Sequence, residues 1–256
     1  MKTIGVFDSG VGGITVLRAL REAVPELDYI YLGDTARVPY GTKSQETVLR
    51  YSLQVGDFLV HQGIDLLVVA CNTATAYGLH EIRARYDIPV IGVIDPGVQA
   101  TVAATTSGQI AVIGTTATIN SGQYGKAIHN HLPHAQVQEV ACPMLVPLAE
   151  ENWCGTDISR LILQRYLEPI GSVDTLVLGC THYPLLKDDI AQVLPGVQLV
   201  DSALQTARTI AGLVGKIEST QRGRVTWFMT DTSPRFLEIA SVFLGEAVTE
   251  VEHIDL

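Results

Sequence analysis

Val68-Val69-Ala70-Cys71-Asn72-Thr73-Ala74 closes an apolar run that opens at Asp65, and its pattern occurs twice in the chain. The first copy reads Asp65-Leu66-Leu67-Val68-Val69-Ala70-Cys71-Asn72-Thr73. The second reads Asp174-Thr175-Leu176-Val177-Leu178-Gly179-Cys180-Thr181-His182. Each is an Asp, a short apolar run, a small residue and a Cys, then a pair ending in Thr or His. An apolar run of this length between turn signals suits a strand buried on both faces, as in a parallel sheet. Each Cys then falls at the carboxyl edge of its strand, the edge where open α/β sheets bind ligands.

Outward from these copies, strand and helix patterns alternate. Ile4 to Phe7 reads as a strand, followed by the glycine-rich turn Asp8-Ser9-Gly10-Val11-Gly12-Gly13. A helix from Ile14 to Ala23 carries Ile14, Leu17, Leu20 and Val24 on one face. Tyr29 to Leu32 is a strand, Gly33 to Gly41 a long polar loop. The next helix has Thr42 as cap with Gln45 as capping-box partner, and runs to His61 before Gly63. Leu66 to Ala70 is a strand, Thr75 to Arg85 a helix, and Val90 to Ile94 a strand ending at Asp95-Pro96-Gly97. The order then restarts: a strand at Ile110 to Ile113, the turn Gly114 to Ser121, a helix to Asn130, a strand at Val137 to Ala141, and a helix from Asp157 to Glu168. Thr175 to Leu178 is the strand before Cys180, Leu185 to Val193 a helix, Val197 to Val200 a strand ending at Asp201-Ser202, and Leu204 to Val214 a helix. The tail reads as a strand (Val225 to Met229), a helix with Ser233 as N-cap and Pro234 at N1, and a last strand near Val248.

Such alternation predicts an α/β fold with mainly parallel sheets. The spacing predicts a duplication. Ile4 to Cys71 is 67 positions and Ile110 to Cys180 is 70; Cys71 to Asp95 is 24 and Cys180 to Asp201 is 21. Two similar doubly wound domains related by a pseudo-twofold axis would turn their carboxyl edges toward each other. Cys71 and Cys180 would then stand on opposite walls of one cleft.

The 256 residues suffice for one large or two small domains with a sizeable core. Hydrophobic residues make up 47% and charged residues 17%, which argues against disorder. A formal charge of −10 argues against a nucleic-acid partner, since phosphate binding needs a basic face. No apolar run is long enough to span a bilayer and no signal-peptide layout is present, so a cytoplasmic protein without a membrane partner is expected. The low charged content allows a homodimer. None of the four cysteines (Cys71, Cys142, Cys154, Cys180) forms a C-x-x-C pair, and Cys71, Cys180 and His182 lack a clear fourth ligand, so no metal site is expected. The Asp8 to Gly13 turn is not G-x-G-x-x-G, so no dinucleotide cofactor is expected.

Two like acid/base groups on opposite faces of a tetrahedral carbon are what a racemase requires, one ionised and one protonated in each direction. Cysteine can serve because its pKa, roughly 8.5 when free, is tunable toward neutrality, where general acid/base catalysis works best. Each Cys precedes an expected helix start, whose N–H groups favour a thiolate. His182 is two positions from Cys180, and Asp8 ends the first strand in line with Cys71. A single Cys after an apolar strand is most often a small buried hydrophobe, the reading given to Cys142 and Cys154; the matched pair favours function. Small hydroxyl- and amide-bearing residues at strand ends (Asp8-Ser9-Gly10, Asn72-Thr73, Gly114 to Thr118, Thr181-His182) suit a carboxylate bound without Arg or Lys.

Together, Asp8-Ser9-Gly10-Val11-Gly12-Gly13, Pro39-Tyr40-Gly41, Cys71-Asn72-Thr73-Ala74, Gly114-Thr115 with Thr118, and Gly179-Cys180-Thr181-His182-Tyr183-Pro184 resemble the glutamate racemases of the aspartate/glutamate racemase family. The resemblance runs from the first strand to beyond Asp201. It implies cofactor-independent interconversion of L- and D-glutamate, supplying D-glutamate for peptidoglycan. It implies a first domain of residues 1–97 plus 207–256 carrying Cys71 and a second of 98–206 carrying Cys180. It makes Cys71 the base for D-glutamate and Cys180 the base for L-glutamate, with Asp8, His182 and Glu150 as supporting polar groups. Ser9, Pro39, Tyr40, Gly41, Asn72, Thr73, Thr115, Thr118 and Thr181 would join them around the substrate. A racemase for aspartate or another acidic amino acid stays open as an alternative, with Tyr183-Pro184 leaning toward glutamate. So does a two-domain binding module that closes on an amino acid without chemistry.

Overall fold

The computed structural model describes residues 2–215, 217 and 221–256. The first half runs β1 (Thr3–Asp8), α1 (Ile14–Ala23), β2 (Asp28–Gly33), α2 (Gln45–His61), β3 (Leu66–Val69), α3 (Asn72–Arg85), β4 (Val90–Gly92) and α4 (Ile94–Ala104). The second runs β5 (Gln109–Gly114), α5 (Thr116–Ser121), α6 (Gln123–His131), β6 (Gln136–Ala141), α7 (Leu145–Glu150), α8 (Asp157–Leu167), β7 (Thr175–Gly179), α9 (Lys187–Val193), β8 (Gln198–Asp201) and α10 (Ser202–Val214). The tail adds β9 (Val225–Met229), α11 (Pro234–Leu244) and β10 (Glu252–His253).

All pairings are parallel and form two sheets, of order β10-β9-β2-β1-β3-β4 and β6-β5-β7-β8. The second repeats the inner order β2-β1-β3-β4 of the first. The register repeats too: Ile4 pairs with Leu66 and Ile110 with Thr175. Five residues beyond Leu66 is Cys71, and five beyond Thr175 is Cys180, so the two thiols occupy equivalent positions.

Period-two alternation clothes both faces of each sheet. Ile4, Val6, Tyr29, Tyr31, Leu66 and Val68 pack on α1, α10 and α11, whereas Phe7, Leu32, Leu67 and Val69 pack on α2 and α3. In the second sheet Ala111, Ile113, Leu176 and Leu178 meet α7, α8 and α9, and Ile110, Val112, Val177 and Val200 meet α4 and α6. Each fully buried aliphatic or aromatic side chain contributes roughly 1.5–3 kcal/mol. With helices on both faces, strands are apolar throughout, as the two Cys-bearing runs are.

Several boundaries depart from the sequence reading. Ser44, not Thr42, caps α2, accepting from the Thr47 N–H; Thr42 ends the 3-10 turn Tyr40–Thr42 that closes the Gly33 to Gly41 loop, and a second such turn lies within that loop at Thr35–Arg37. The α3 helix starts at Asn72, three residues earlier than expected, because the Cys71 sulfur caps it. The strand expected over Val90 to Ile94 stops at Gly92, and Ile94 with Asp95-Pro96-Gly97 forms the first turn of α4, where proline's missing N–H costs nothing. Residues Thr116 to Ser121 are helical, and Gly122, at φ 62°, breaks α5 from α6. The α7 segment is likewise a helix. The last strand is Glu252–His253; Val248 is buried but not in a strand. The α4 and α10 helices run through the expected division points at 97/98 and 206/207.

Candidate active site

A cavity of about 300 Å³ opens between the carboxyl edges of the two sheets, and both Cys71 and Cys180 line it. Ser9, Pro39, Tyr40, Gly41, Asn72, Thr73, Thr115, Glu150, Thr181 and His182 line it as well. Asp8 and Thr118 do not; both are buried just behind the wall. Val38, Thr42, Thr116, Pro143, Val146 and Pro147 also line the cavity. Thr116 belongs to the Gly114 to Thr118 stretch that reads as carboxylate-binding, and Thr42 reads only as a helix cap; Val38, Pro143, Val146 and Pro147 escape sequence reading because apolar wall residues carry no chemical signature, the only signal for Val146 and Pro147 being their place beside Glu150. No Lys or Arg is among the lining residues.

The first wall is built by β1 and β3. Cys71 is the N-cap of α3: its sulfur accepts from the Ala74 N–H at 3.4 Å, and its thiol donates to Ser9 Oγ at 3.6 Å. Burial, reinforced by the neighbouring Asp8 carboxylate, nevertheless pushes the Cys71 thiol up to about 12. Asp8 is 1% exposed; one oxygen accepts the Gly10 N–H at 3.0 Å and the other has no partner among the described residues. Burial raises its carboxyl above the usual range, against the pull of His182 and the loop N–H groups.

The second wall is different. An α-helix does not start directly after Cys180; a 3-10 turn at Tyr183–Leu186 intervenes before α9 begins at Lys187. The thiol's neighbour is instead His182, with Nδ1 at 3.8 Å from the sulfur and Nε2 at 2.9 Å from Glu150 Oε1. Burial disfavours the imidazolium, but the bonds and charges of Cys180 and Glu150 outweigh it and hold His182 up to about 10. The two thiols thus share a position but not an electrostatic setting. Tyr183, expected to bear on substrate choice, is buried and gives its hydroxyl to the Cys142 carbonyl at 2.8 Å.

The remaining polar groups converge between the thiols. The Thr73, Thr115 and Thr118 hydroxyls bond to one another at 2.9–3.2 Å. The Pro39 to Gly41 loop is locked from behind: the Tyr40 hydroxyl donates to the fully buried Asp34 carboxylate, which also binds Arg37 and Thr230. Thr15 Oγ1 donates to the Thr181 carbonyl at 2.8 Å, tying the Cys180 loop to α1. The set offers two thiols, an imidazole–carboxylate pair and many neutral donors, which suits proton transfer on a small carboxylate. Among the described residues no cluster of His, Cys, Asp and Glu has the arrangement to hold a metal ion, and no helix is long and apolar enough to cross a membrane.

Comparison with known proteins matches residues 4–210 to the family model described as Asp/Glu/Hydantoin racemase. The chain is 48% identical to a glutamate racemase of Geobacter metallireducens over 100% of this chain and 97% of that one. A glutamate racemase isoform from Bacillus anthracis superposes with a TM-score of 0.94 at 38% identity, covering 100% of this chain and 98% of that one. The glutamate racemase from Francisella tularensis, solved in complex with D-glutamate, superposes with a TM-score of 0.93 at 34% identity, over 99% and 97% of the two chains.

Proposed function

The chain belongs to the Asp/Glu/hydantoin racemase family, and on that premise we propose that its cleft interconverts L- and D-glutamate by two-base proton transfer between Cys71 and Cys180. The observation that carries the reading is the equivalent placement of two thiols on one cavity.

From L-glutamate, the Cys180 thiolate takes the α-proton; its S–H bond forms as the C–H bond breaks. The Cys71 thiol gives its proton to the opposite face, leaving a Cys71 thiolate and D-glutamate. The reverse reaction starts from that thiolate. His182, charged and held by Glu150, carries a proton beside Cys180. The high pKa of Cys71 suits its role as the acid in this direction, and a bound ammonium group would favour its thiolate in the other. Ser9, Asn72, Thr73, Thr115, Thr181 and the Pro39 to Gly41 loop would hold the carboxylates and ammonium, with Thr118 bracing the hydroxyl cluster and Asp8 acting from behind Cys71. Neutral donors and the N-terminus of α3 replace a cationic side chain in this task.

Division of the chain into 1–97 with 207–256 and 98–206 belongs to the same proposal; it gives each unit one sheet and one thiol. The product would feed peptidoglycan synthesis, in a cytoplasmic setting. A homodimer is the proposed assembly, supported by the exposed Ile158 and Leu161 one turn apart on α8; sedimentation tests it.

The test is proton NMR of L-glutamate in D2O, without added cofactor, beside Cys71→Ala and Cys180→Ala. Loss of the α-proton signal with formation of D-glutamate by the wild type alone supports the reading. Exchange without inversion, or no exchange by folded and reduced protein, overturns it. Aspartate run in parallel reads the selectivity.

A further inference from the structure

Tyr124 is fully buried on α6, yet it reaches both catalytic edges. Its ring lies over Gly179, the residue before Cys180, so closely that a Cβ at Gly179 would stand 3.1 Å from Cε2. Its hydroxyl donates to Asn72 Oδ1 at 2.7 Å, across to the residue after Cys71. Burial keeps the phenol well above its ordinary pKa, so it retains the proton it donates.

Asn72 lines the cavity and is itself buried. Its Oδ1 is taken by Tyr124, and its Nδ2 has no partner among the described residues. An asparagine amide presents an acceptor at one end and two donors at the other, and only its partners decide which end points where. A buried N–H₂ without a partner is costly. It is accounted for if a substrate acceptor completes it.

The geometry points to Tyr124 as the residue that sets which end of the Asn72 amide faces the substrate. With the hydroxyl present, Oδ1 is held away and Nδ2 is offered to a substrate carboxylate. Without it, the amide can turn and set its oxygen against that carboxylate. Tyr124 is therefore a positioning residue acting through Asn72, and it couples α6 of the second sheet to the first residue of α3. This inference rests on the racemase reading. A wild type that does not act on glutamate would sink that reading, whereas an active wild type with an indifferent Tyr124 would sink only the inference.

The experiment is Tyr124→Phe, which removes one oxygen and keeps the ring on Gly179. Uniform binding lost by a misaligned donor appears in KM, not kcat. KM for glutamate should rise about tenfold in both directions, with kcat within about threefold and the pH midpoints of kcat unmoved. In the cycle with Asn72→Ala, the double variant should have the KM of Asn72→Ala alone, since the phenol acts only through that amide. An unchanged KM in Tyr124→Phe, or additive effects in the cycle, overturns the proposal. If Tyr124→Phe does not fold, Asn72→Asp decides. One Asp oxygen keeps the Tyr124 bond and the other confronts the substrate carboxylate, so KM should exceed that of Asn72→Ala about tenfold or more. Equal KM values for those two variants overturn the proposal.

Discussion

His182 Nε2 lies 2.9 Å from Glu150 Oε1, which fixes the ring so that Nδ1 faces the Cys180 sulfur. Phe243 of α11 meets the ring edge-on, with centroids 5.4 Å apart. The imidazole is oriented by one bond and packed on its flank, as proton-handling groups need to be.

A pH dependence of stability follows from this pair. The folded His182 value, about 10, lies above the ordinary value of about 6.5. The protonated form is therefore favoured by folding. Its stabilisation is complete below about pH 6.5 and is lost as pH rises toward 10. Glu150→Gln removes one cause of the raised value, so its loss of thermal stability should start from the same pH but be smaller and end at a lower pH than the wild type's. Melting curves from pH 6 to about 10.5 check this; identical profiles would count against the pair.

Gly12 abuts the Cys180 loop so closely that an added Cβ would overlap Thr181 Oγ1 and the His182 ring. Gly12→Ala should push that loop outward. A misplacement of about 1 Å can cost about a hundredfold in rate, so kcat should fall by about that factor while far-UV circular dichroism is retained.

Asp34 is 0% exposed and holds Arg37, Tyr40 and Thr230 together behind the Pro39 to Gly41 wall. Removing one partner of a buried ion pair costs about 3 kcal/mol or more. Asp34→Asn should lower stability by about that amount in urea titration and raise KM for glutamate, because the wall it anchors lines the cavity.

Asp8 shifts with pH in the same direction as His182, but here it is the neutral form that folding favours. Its folded pKa is raised by burial, so the ionised form opposes folding; that contribution favours the fold at low pH and is lost as pH rises through the raised value. Asp8→Asn should raise the melting temperature at pH 8 by a few degrees, of the order expected for about 1 kcal/mol, while kcat falls because the charge beside Cys71 and His182 is gone. A lower melting temperature would contradict this account.

The strands were legible because each is a short apolar run ended by a small or polar residue, and Ser233 with Pro234 marked α11 exactly. Helices α4 and α7 were not legible. Asp95-Pro96-Gly97 carries turn chemistry, and Pro147 sits inside Leu145–Glu150; in both cases packing on the sheet overrode local preference. Thr42 and Ser44 are equally good caps on paper, and the 3-10 turn at Tyr40–Thr42 decided between them. Tyr124 gave no signal at all, since an aromatic residue on an amphipathic helix reads as core.

The order of apolar runs by itself determined that this is a duplicated α/β chain with a thiol at the same strand edge in each half, because burial on both faces and the period of the pattern are local properties. Which groups share the space between those edges was decided only by the tertiary structure. Glu150 reaches His182 across 32 positions, and Tyr124 reaches Asn72 across 52. The unequal settings of Cys71 and Cys180 have the same origin: burial and neighbouring charge act through space, and sequence neighbours do not report them.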